Sequence, residues 1–155
     1  MRVLVIHGPN LNLLGEREPE IYGTQTLAQI NEAIRALAPQ LEIDARCVQH
    51  NSEGAIVDEL HAACRDYDAV VINPGAYTHY SYAIADAVAA ISIPVIEAHL
   101  SNVAARESFR RSSVLAPACA GTIAGFGADS YLLALRAAAT CVERQRRKAG
   151  KGDRT

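Results

Sequence analysis

The stretch Arg2–Asn10, RVLVIHGPN, decides the fold class, because an apolar run of strand length gives way at once to polar and turn residues. The run Val3–Ile6 is too short for a helix and predicts a strand. Four more short runs follow the same pattern: Ile43–Val48, Ala69–Ile72, Pro94–Glu97 and Thr122–Ala124. Near-continuous apolar runs of this length are typical of strands buried on both faces of a parallel sheet.

Longer stretches with helical character separate these strands. They are Thr26–Leu37, Glu53–Cys64, Tyr80–Ile91, Ala104–Arg111 and Asp129–Arg146. Repeated alternation of strand and helix indicates a parallel sheet with right-handed crossovers. We therefore predict an α/β fold with a flavodoxin-like, doubly wound, five-stranded parallel sheet in three α/β/α layers.

The 155 residues suit one domain, which we place at residues 1–146, with a lid loop at about 15–25 and a basic, disordered tail at 147–155. Before Arg144 there are sixteen acidic and nine basic residues, so the body is a poor nucleic-acid binder. No apolar run is long enough to span a membrane, and the start lacks a signal-peptide pattern. We expect a cytoplasmic protein that binds neither nucleic acid nor membrane.

Ligands of doubly wound folds bind beyond the carboxyl ends of the strands, where this sequence places many polar residues. Glu97 and His99 are two apart at one strand end, so their side chains can lie on one side of it. A carboxylate fixes the tautomer of a neighbouring imidazole and favours its protonated form, as suits a general acid. A purely structural pair, or a metal site completed by His79, remains an alternative.

Two arginines offer a candidate anion site. Arg106 and Arg110 are spaced i, i+4 in a short helical segment and could form a fork for a carboxylate, or simply a solvated basic face. His79 and Asp86 would share a face of a helix beginning near His79, with Ser81 as a possible cap. Asp86 could equally be a surface or interface charge.

The segment between Gly8 and Gly23 is too long for an ordinary connection in a compact domain, and such loops are usually functional. It contains Arg17 and Tyr22. Tyrosine is a poor base near neutral pH unless a cation stabilises its phenolate, and arginine is the usual cation. A solvent-exposed role for both residues is equally compatible with the sequence.

Several catalytic classes lack their motifs. The chain has no GxxxxGK[ST], GxGxxG or GxSxG motif. Its only lysines, Lys148 and Lys151, lie in the tail, so imine chemistry has no suitable residue. Its four cysteines are far apart, which favours reduced thiols over disulfides or zinc.

Five motifs in series resemble those of the type II 3-dehydroquinate dehydratases. They are HGPNLNLLG (7–15), REPEIYG (17–23), NPGAYTH (73–79), IEAHLSNV (96–103) and ARESFRR (105–111). The resemblance implies dehydration of 3-dehydroquinate to 3-dehydroshikimate, a shikimate-pathway step, by anti elimination through an enolate. It implies no metal or organic cofactor, no covalent intermediate, and a homo-oligomer that is a dodecamer built as a tetramer of trimers.

The resemblance also assigns roles by motif position. Tyr22 would be the base, held as phenolate by Arg17, and His99 the acid, oriented by Glu97. Asn10 would position a water that supports the enolate oxygen. The remaining candidates would contact the substrate, Asp86 from a neighbouring subunit: Asn73, Gly75, His79, Asp86, Leu100, Ser101, Arg106 and Arg110. A catalytically silent metabolite-binding module and a metal-dependent hydrolase or lyase are the rival hypotheses.

Overall fold

The computed structural model describes residues 1–16, 20 and 24–152, with side chains to Gly150, and contains one five-stranded parallel sheet. Its strands are β1 (Arg2–His7), β2 (Asp44–Gln49), β3 (Ala69–Asn73), β4 (Val95–His99) and β5 (Gly121–Ala124). Their order is β2-β1-β3-β4-β5, and every neighbouring pair is parallel. The predicted flavodoxin-like architecture is confirmed.

Two helices cover each face of the sheet. The helices are α1 (Leu27–Leu37), α2 (Glu53–Asp66), α3 (Tyr82–Ala90) and α4 (Asp129–Gly152). Alternate strand residues divide the core: Val3 and Val5 belong to the cluster under α1 and α4, whereas Leu4 and Ile6 belong to the cluster under α2 and α3. This division explains why the strand sequences are apolar without alternation. No helix in the described part of the chain is long and apolar enough to cross a membrane.

Three helix predictions need correction. The segment Ala104–Arg111 is not one helix but two 3₁₀ turns, Val103–Ala105 and Ser108–Arg110. Helix α3 begins at Tyr82 because Ser81 caps it, its hydroxyl accepting from the Ile84 backbone N–H at 3.0 Å.

The last helix, α4, runs past the predicted end at Arg146 to Gly152, so residues 147–152 are helical rather than disordered. Alanine, arginine and lysine are good helix formers, and Glu143 pairs with Arg147 one turn later at 3.7 Å. Residues 153–155 and most of the predicted lid loop lie outside the described residues.

The connections that leave β1 and β3 touch each other. The Gly8 N–H donates to the Asn73 carbonyl at 2.7 Å, directly past the paired residues His7 and Asn73. A Cβ on Gly8 would lie 2.6 Å from the Pro74 carbonyl carbon, so only glycine fits here without moving backbone. This contact fixes the relative position of the two loops that form the floor of the ligand cavity described below.

The face of the sheet that packs against α4 carries a buried polar pair, His7 and Tyr131, where an apolar core would be expected. His7 and Tyr131 have no exposed surface, and His7 Nδ1 lies 2.7 Å from the Tyr131 hydroxyl. His7 Nε2 lies 2.9 Å from Asn31 Oδ1, so both ring nitrogens have partners. Burial lowers the pKa of His7 to about 4, despite an opposing hydrogen bond to Asn31, and therefore keeps the ring neutral.

This neutral imidazole should make folding acid-sensitive. Between about pH 6.5 and pH 4 the unfolded chain binds a proton at His7 that the folded chain does not. The free energy of unfolding should therefore fall as the pH is lowered through this window, by up to ~1.4 kcal/mol per pH unit. Urea unfolding of the parent and of His7→Gln across this range measures the effect, and the variant should have the shallower pH dependence.

The control is His61→Gln, which removes an exposed imidazole that is solvated in both states. It should leave the slope of unfolding free energy against pH unchanged. Equal slopes for the parent and His7→Gln would contradict the assignment of this proton to His7.

Candidate active site

A cavity opens beyond the carboxyl ends of β1, β3 and β4. The space open to the centres of water molecules is about 90 Å³, enough for several waters or a small polar ligand. Its lining includes seven of the residues proposed from sequence: Asn10, Asn73, Gly75, His79, His99, Leu100 and Arg110. Ser101 and Arg106 line an adjoining cavity, with Leu100 shared between the two.

Glu97 and His99 lie together, as predicted. His99 Nε2 is 2.7 Å from Glu97 Oε1, and the Glu97 side chain has no exposed surface. Because a carboxylate only accepts, Nε2 carries the proton of this bond and Nδ1 is the other ring nitrogen. Alternation along β4 puts both side chains on the same face of the sheet, as the i, i+2 spacing requires.

Two hydroxyls missed by the sequence analysis complete the Glu97 site. Thr78 and Ser113 both donate to the carboxylate, Ser113 to Oε2 at 2.9 Å. Ser113 Oγ also accepts from the backbone N–H groups of Leu115 (3.1 Å) and Ala116 (2.9 Å), so its own proton is left for Glu97. Thr78 is inside the quoted 73–79 motif, but nothing in the local sequence marks Ser113.

These donors decide the charge state of the buried acid. Burial by itself raises the pKa of Glu97, but hydrogen bonds from His99, Thr78 and Ser113 together with the nearby imidazole outweigh it, and the net pKa is lowered. Glu97 is therefore a carboxylate rather than an acid at neutral pH. A buried carboxylate of this kind holds an imidazole in one orientation and stabilises its protonated form.

Asn10 is held from the end of β2. It adopts a left-handed backbone conformation with φ 66°, and its N–H donates to Asn51 Oδ1 at 3.0 Å. Gln49 uses its two amide hydrogens on Asn51 Oδ1 (3.0 Å) and on the Gly8 carbonyl (3.1 Å). Gln49 and Asn51 thus fix the turn that presents Asn10 to the cavity, a role that the sequence did not reveal.

Asn73 and Gly75 form the wall on the β3 side. Asn73 is 3% exposed, and its Oδ1 accepts from the Gly75 N–H at 3.2 Å. Gly75 has φ 58°, and a Cβ there would lie 3.2 Å from the Pro9 carbonyl oxygen, so its backbone passes close to the opposite loop. The glycine lets the chain turn while leaving the Asn73 amide at the cavity surface.

His79 ends the 3₁₀ turn Gly75–His79. Its Nδ1 donates to the Ser112 carbonyl at 2.8 Å, so Nε2 of a neutral ring remains an acceptor for a ligand. The predicted shared helical face of His79 and Asp86 is wrong, because His79 precedes the helix that begins at Tyr82. Asp86 is exposed on α3 and does not line this cavity.

The two arginines converge, but not through helical spacing. Arg106 Nε and Arg110 Nε lie 3.2 Å and 3.3 Å from the same oxygen of Glu107, which connects the two 3₁₀ turns. The Arg110 contact lacks hydrogen-bond geometry, and Arg110 Nε is a buried donor without a hydrogen-bond partner among the described residues. Such a donor at a cavity wall is suited to an anionic ligand.

The remaining predicted residues fall outside this geometry. Arg17 and Tyr22 are not among the described residues, so their predicted roles stay predictions. Within the described ranges, no group of three or more His, Cys, Asp or Glu side chains is placed to hold a metal ion.

Comparison with known proteins agrees with this geometry. The model of the family "Dehydroquinase class II" matches residues 1–139. The chain is 59% identical over 139 residues to the 3-dehydroquinate dehydratase of Pelotomaculum thermopropionicum, covering 90% of this chain and 96% of that one. It is 57% identical over 144 residues to that of Desulforudis audaxviator, covering 93% and 96%.

Solved structures give the same result. The type II dehydroquinase from Butyrivibrio crossotus superimposes with a TM-score of 0.87 at 48% identity, covering 89% of this chain and 97% of that chain. Since the family model spans most of the sequence and these relatives are matched over nearly their full length, the chain belongs to the class II dehydroquinase family.

Proposed function

We propose that this protein dehydrates 3-dehydroquinate to 3-dehydroshikimate and water, as the names of its relatives state for them. The observation that carries the proposal is the buried Glu97–His99 pair at the wall of a polar cavity. Elimination of water requires a proton for the departing hydroxyl, and an imidazole backed by a carboxylate is suited to supply it. Family membership identifies the substrate, and the pair supplies the chemistry.

In this mechanism His99 is the acid. Its Nε2–H stays with Glu97, so the proton that leaves with the hydroxyl comes from Nδ1 of the protonated ring. Glu97 stabilises that protonated ring and keeps its hydrogen bond to Nε2–H throughout. Glu97 is therefore a positioning residue, because it acts on the substrate through the imidazole.

The base is Tyr22, kept as phenolate by Arg17, by analogy with the family motif at residues 17–23. It removes the proton next to the ketone, and the resulting enolate forms without covalent attachment to the protein. Asn10 holds a water against the enolate oxygen, a role compatible with its position at the cavity wall. Both parts of this mechanism derive from the family resemblance.

The cavity supports assignments for binding as well. Arg110, whose buried Nε has no hydrogen-bond partner within the described part of the chain, binds the substrate carboxylate, and Arg106 contributes from the adjoining cavity. Asn73 and His79 bind hydroxyls, with Gly75 alongside them. Leu100 supplies a backbone group and Ser101 a hydroxyl, whereas Asp86 reaches a neighbouring subunit's site.

The first test measures turnover directly. Pure protein mixed with 3-dehydroquinate should generate the ultraviolet absorption of the conjugated product. Tyr22→Phe should lower kcat by at least ~10²-fold while leaving substrate binding largely intact, because general-base catalysis contributes on that order. Stopped or continuous absorbance assays together with calorimetric binding separate the two effects.

The matched control is Tyr67→Phe, which removes a phenol hydroxyl that contacts the Arg46 guanidinium and does not line the cavity. It should turn over substrate at the parent rate. An inactive parent would refute the proposed reaction, and an active Tyr22→Phe would refute the base assignment alone.

The second test addresses the support of Glu97. Ser113→Ala removes a donor from Glu97 Oε2 and an acceptor from two backbone N–H groups. We expect a loss of about 1–3 kcal/mol in stability and a fall of roughly tenfold in kcat with little change in KM. Urea unfolding and steady-state kinetics measure both quantities.

Ser112→Ala is the control, because this exposed neighbour contacts His79 only through its carbonyl, which the substitution keeps. Its stability and kcat should match those of the parent. If Ser113→Ala also kept the parent kcat, Ser113 would have no part in orienting the acid.

The proposed assembly is a dodecamer, a tetramer of trimers, on the same family analogy. Exposed aromatic side chains on several elements support burial against other copies: Tyr80, Tyr82, Phe109 and Phe126 are each at least 59% exposed. Light scattering should give about twelve times the 16.6 kDa of one chain. A monomeric mass at micromolar concentration would contradict this assembly.

A further inference from the structure

Behind the cavity wall lies a buried polar group, of which the proposed mechanism uses only Asn73. His7 and Asn73 are register partners on β1 and β3. Alternation from Val5 and Val71, which face α4, puts both side chains on that same face. Tyr131 of α4 packs against His7 with ring centroids 5.0 Å apart. Its hydroxyl is hydrogen-bonded to His7, and the Asn73 carboxamide, the register neighbour of His7 on the same face, acts on that hydroxyl and lowers its pKa against the larger effect of burial.

The direction of each hydrogen bond in this group follows from its two ends. At one end Asn31 Oδ1 can only accept, so His7 Nε2 carries the proton. Nδ1 of the neutral ring must then accept, and it takes the Tyr131 hydroxyl proton across 2.7 Å. The Tyr131 oxygen has then used its proton, so it can face the Asn73 carboxamide only as an acceptor, towards an N–H of Nδ2; such a donor lowers the pKa of the phenol, which is the direction of the Asn73 effect.

The Asn73 end of the group gives the same hydrogen-bond direction independently. Asn73 Oδ1 accepts from the Gly75 N–H at 3.2 Å, which places Nδ2 on the side away from Gly75. Turning the amide over would set its oxygen against the Tyr131 oxygen and its NH₂ against the Gly75 N–H. Both contacts would be repulsive, so only one orientation of Asn73 satisfies every partner.

We propose that Tyr131 and His7 are positioning residues that lock the Asn73 carboxamide so that its second Nδ2–H is presented to an acceptor oxygen of the bound substrate. The inference rests on the proposed function only for the identity of that substrate. The locked amide offers a donor, so the group it recognises is a hydroxyl or carbonyl oxygen acting as acceptor. Asn31 anchors the far end of the group.

The group is suited to this role because it does not titrate near neutral pH. Burial lowers the pKa of His7 to about 4 and raises that of Tyr131 above its ordinary value, so neither changes charge where enzymes of this kind operate. The orientation of Asn73 is thus the same across that range. Removal of the Tyr131 hydroxyl, in contrast, leaves His7 Nδ1 without a donor. The Asn73 amide is then free to turn towards that nitrogen.

A double-mutant cycle tests the proposal. Tyr131→Phe should raise KM about tenfold, with a smaller effect on kcat, and Asn73→Ala should raise KM at least as much. Because Tyr131 acts through Asn73, the double variant should match Asn73→Ala within about twofold. If the two single effects multiply in the double variant, Tyr131 does not act through Asn73 and the proposal is overturned.

Thr140→Val is the matched control, because it deletes another hydroxyl of α4 whose bond goes to the Arg136 carbonyl, away from the cavity. It should leave KM unchanged, and urea unfolding of each variant at assay temperature verifies that all are folded. A rise in KM equal to that of Tyr131→Phe would show a general effect of α4 and overturn the proposal.

A crystal structure of Tyr131→Phe tests the inference without any activity. The Asn73 side chain should change rotamer or occupy two conformers, and a single unchanged conformer would overturn the proposal. If the parent fails to turn over 3-dehydroquinate, the proposed function falls while this structural result still decides whether Tyr131 positions Asn73.

Discussion

A carboxylate without solvent contact, Glu97, dictates much of the surrounding structure. Leaving such a charge unpaired in a protein interior costs several kcal/mol, so the chain must bring donors to it. They come from three places: His99 on the same strand, Thr78 in the turn after β3, and Ser113 in the connection before β5. The requirement to solvate one carboxylate therefore ties two irregular segments to the end of β4.

The same requirement organises backbone as well as side chains. Ser113 donates to Glu97 and also accepts from the N–H groups of Leu115 and Ala116, which hold its oxygen in place at the start of the 3₁₀ turn Ala116–Ala118. The Val114 N–H donates to the Thr78 carbonyl at 2.8 Å and joins the two segments directly. His79 then reaches the Ser112 carbonyl, so a residue of the cavity wall is positioned by the segment that also supports Glu97.

The strands could be predicted from sequence to within one or two residues. Each apolar run is too short for a helix, and its length fits a strand buried on both faces. The helix predicted over Ala104–Arg111 was wrong, since the i, i+4 spacing of Arg106 and Arg110 also fits a chain of two 3₁₀ turns in which both arginines contact Glu107. Sequence spacing shows which residues could share a helix face, but tertiary contacts determine whether the backbone forms that helix.

The residues of the candidate site also fall into those that the sequence could predict and those that it could not. Glu97 and His99 were found because two residues on one strand obey a fixed geometry, independent of the rest of the chain. Ser113 and Tyr131 were missed because they reach the site through long-range contacts. Tyr131 meets His7 from 124 positions away, and a serine or a helical tyrosine has no local pattern that reveals its partner.

The sheet keeps two kinds of polar chemistry apart. On the α4 face, His7 and Tyr131 form a neutral, hydrogen-bonded pair beside the Asn73 carboxamide. On the opposite face, Glu97 is bonded to His99, the residue that delivers the proton in the proposed mechanism. If His7 or Tyr131 changed charge together with the proposed acid His99, the geometry in which Asn73 binds the substrate would change during the reaction. In the proposed mechanism a proton moves at His99 while Asn73 stays in place on the other face of the sheet, because burial lowers the pKa of His7 to about 4 and keeps that ring neutral near neutral pH.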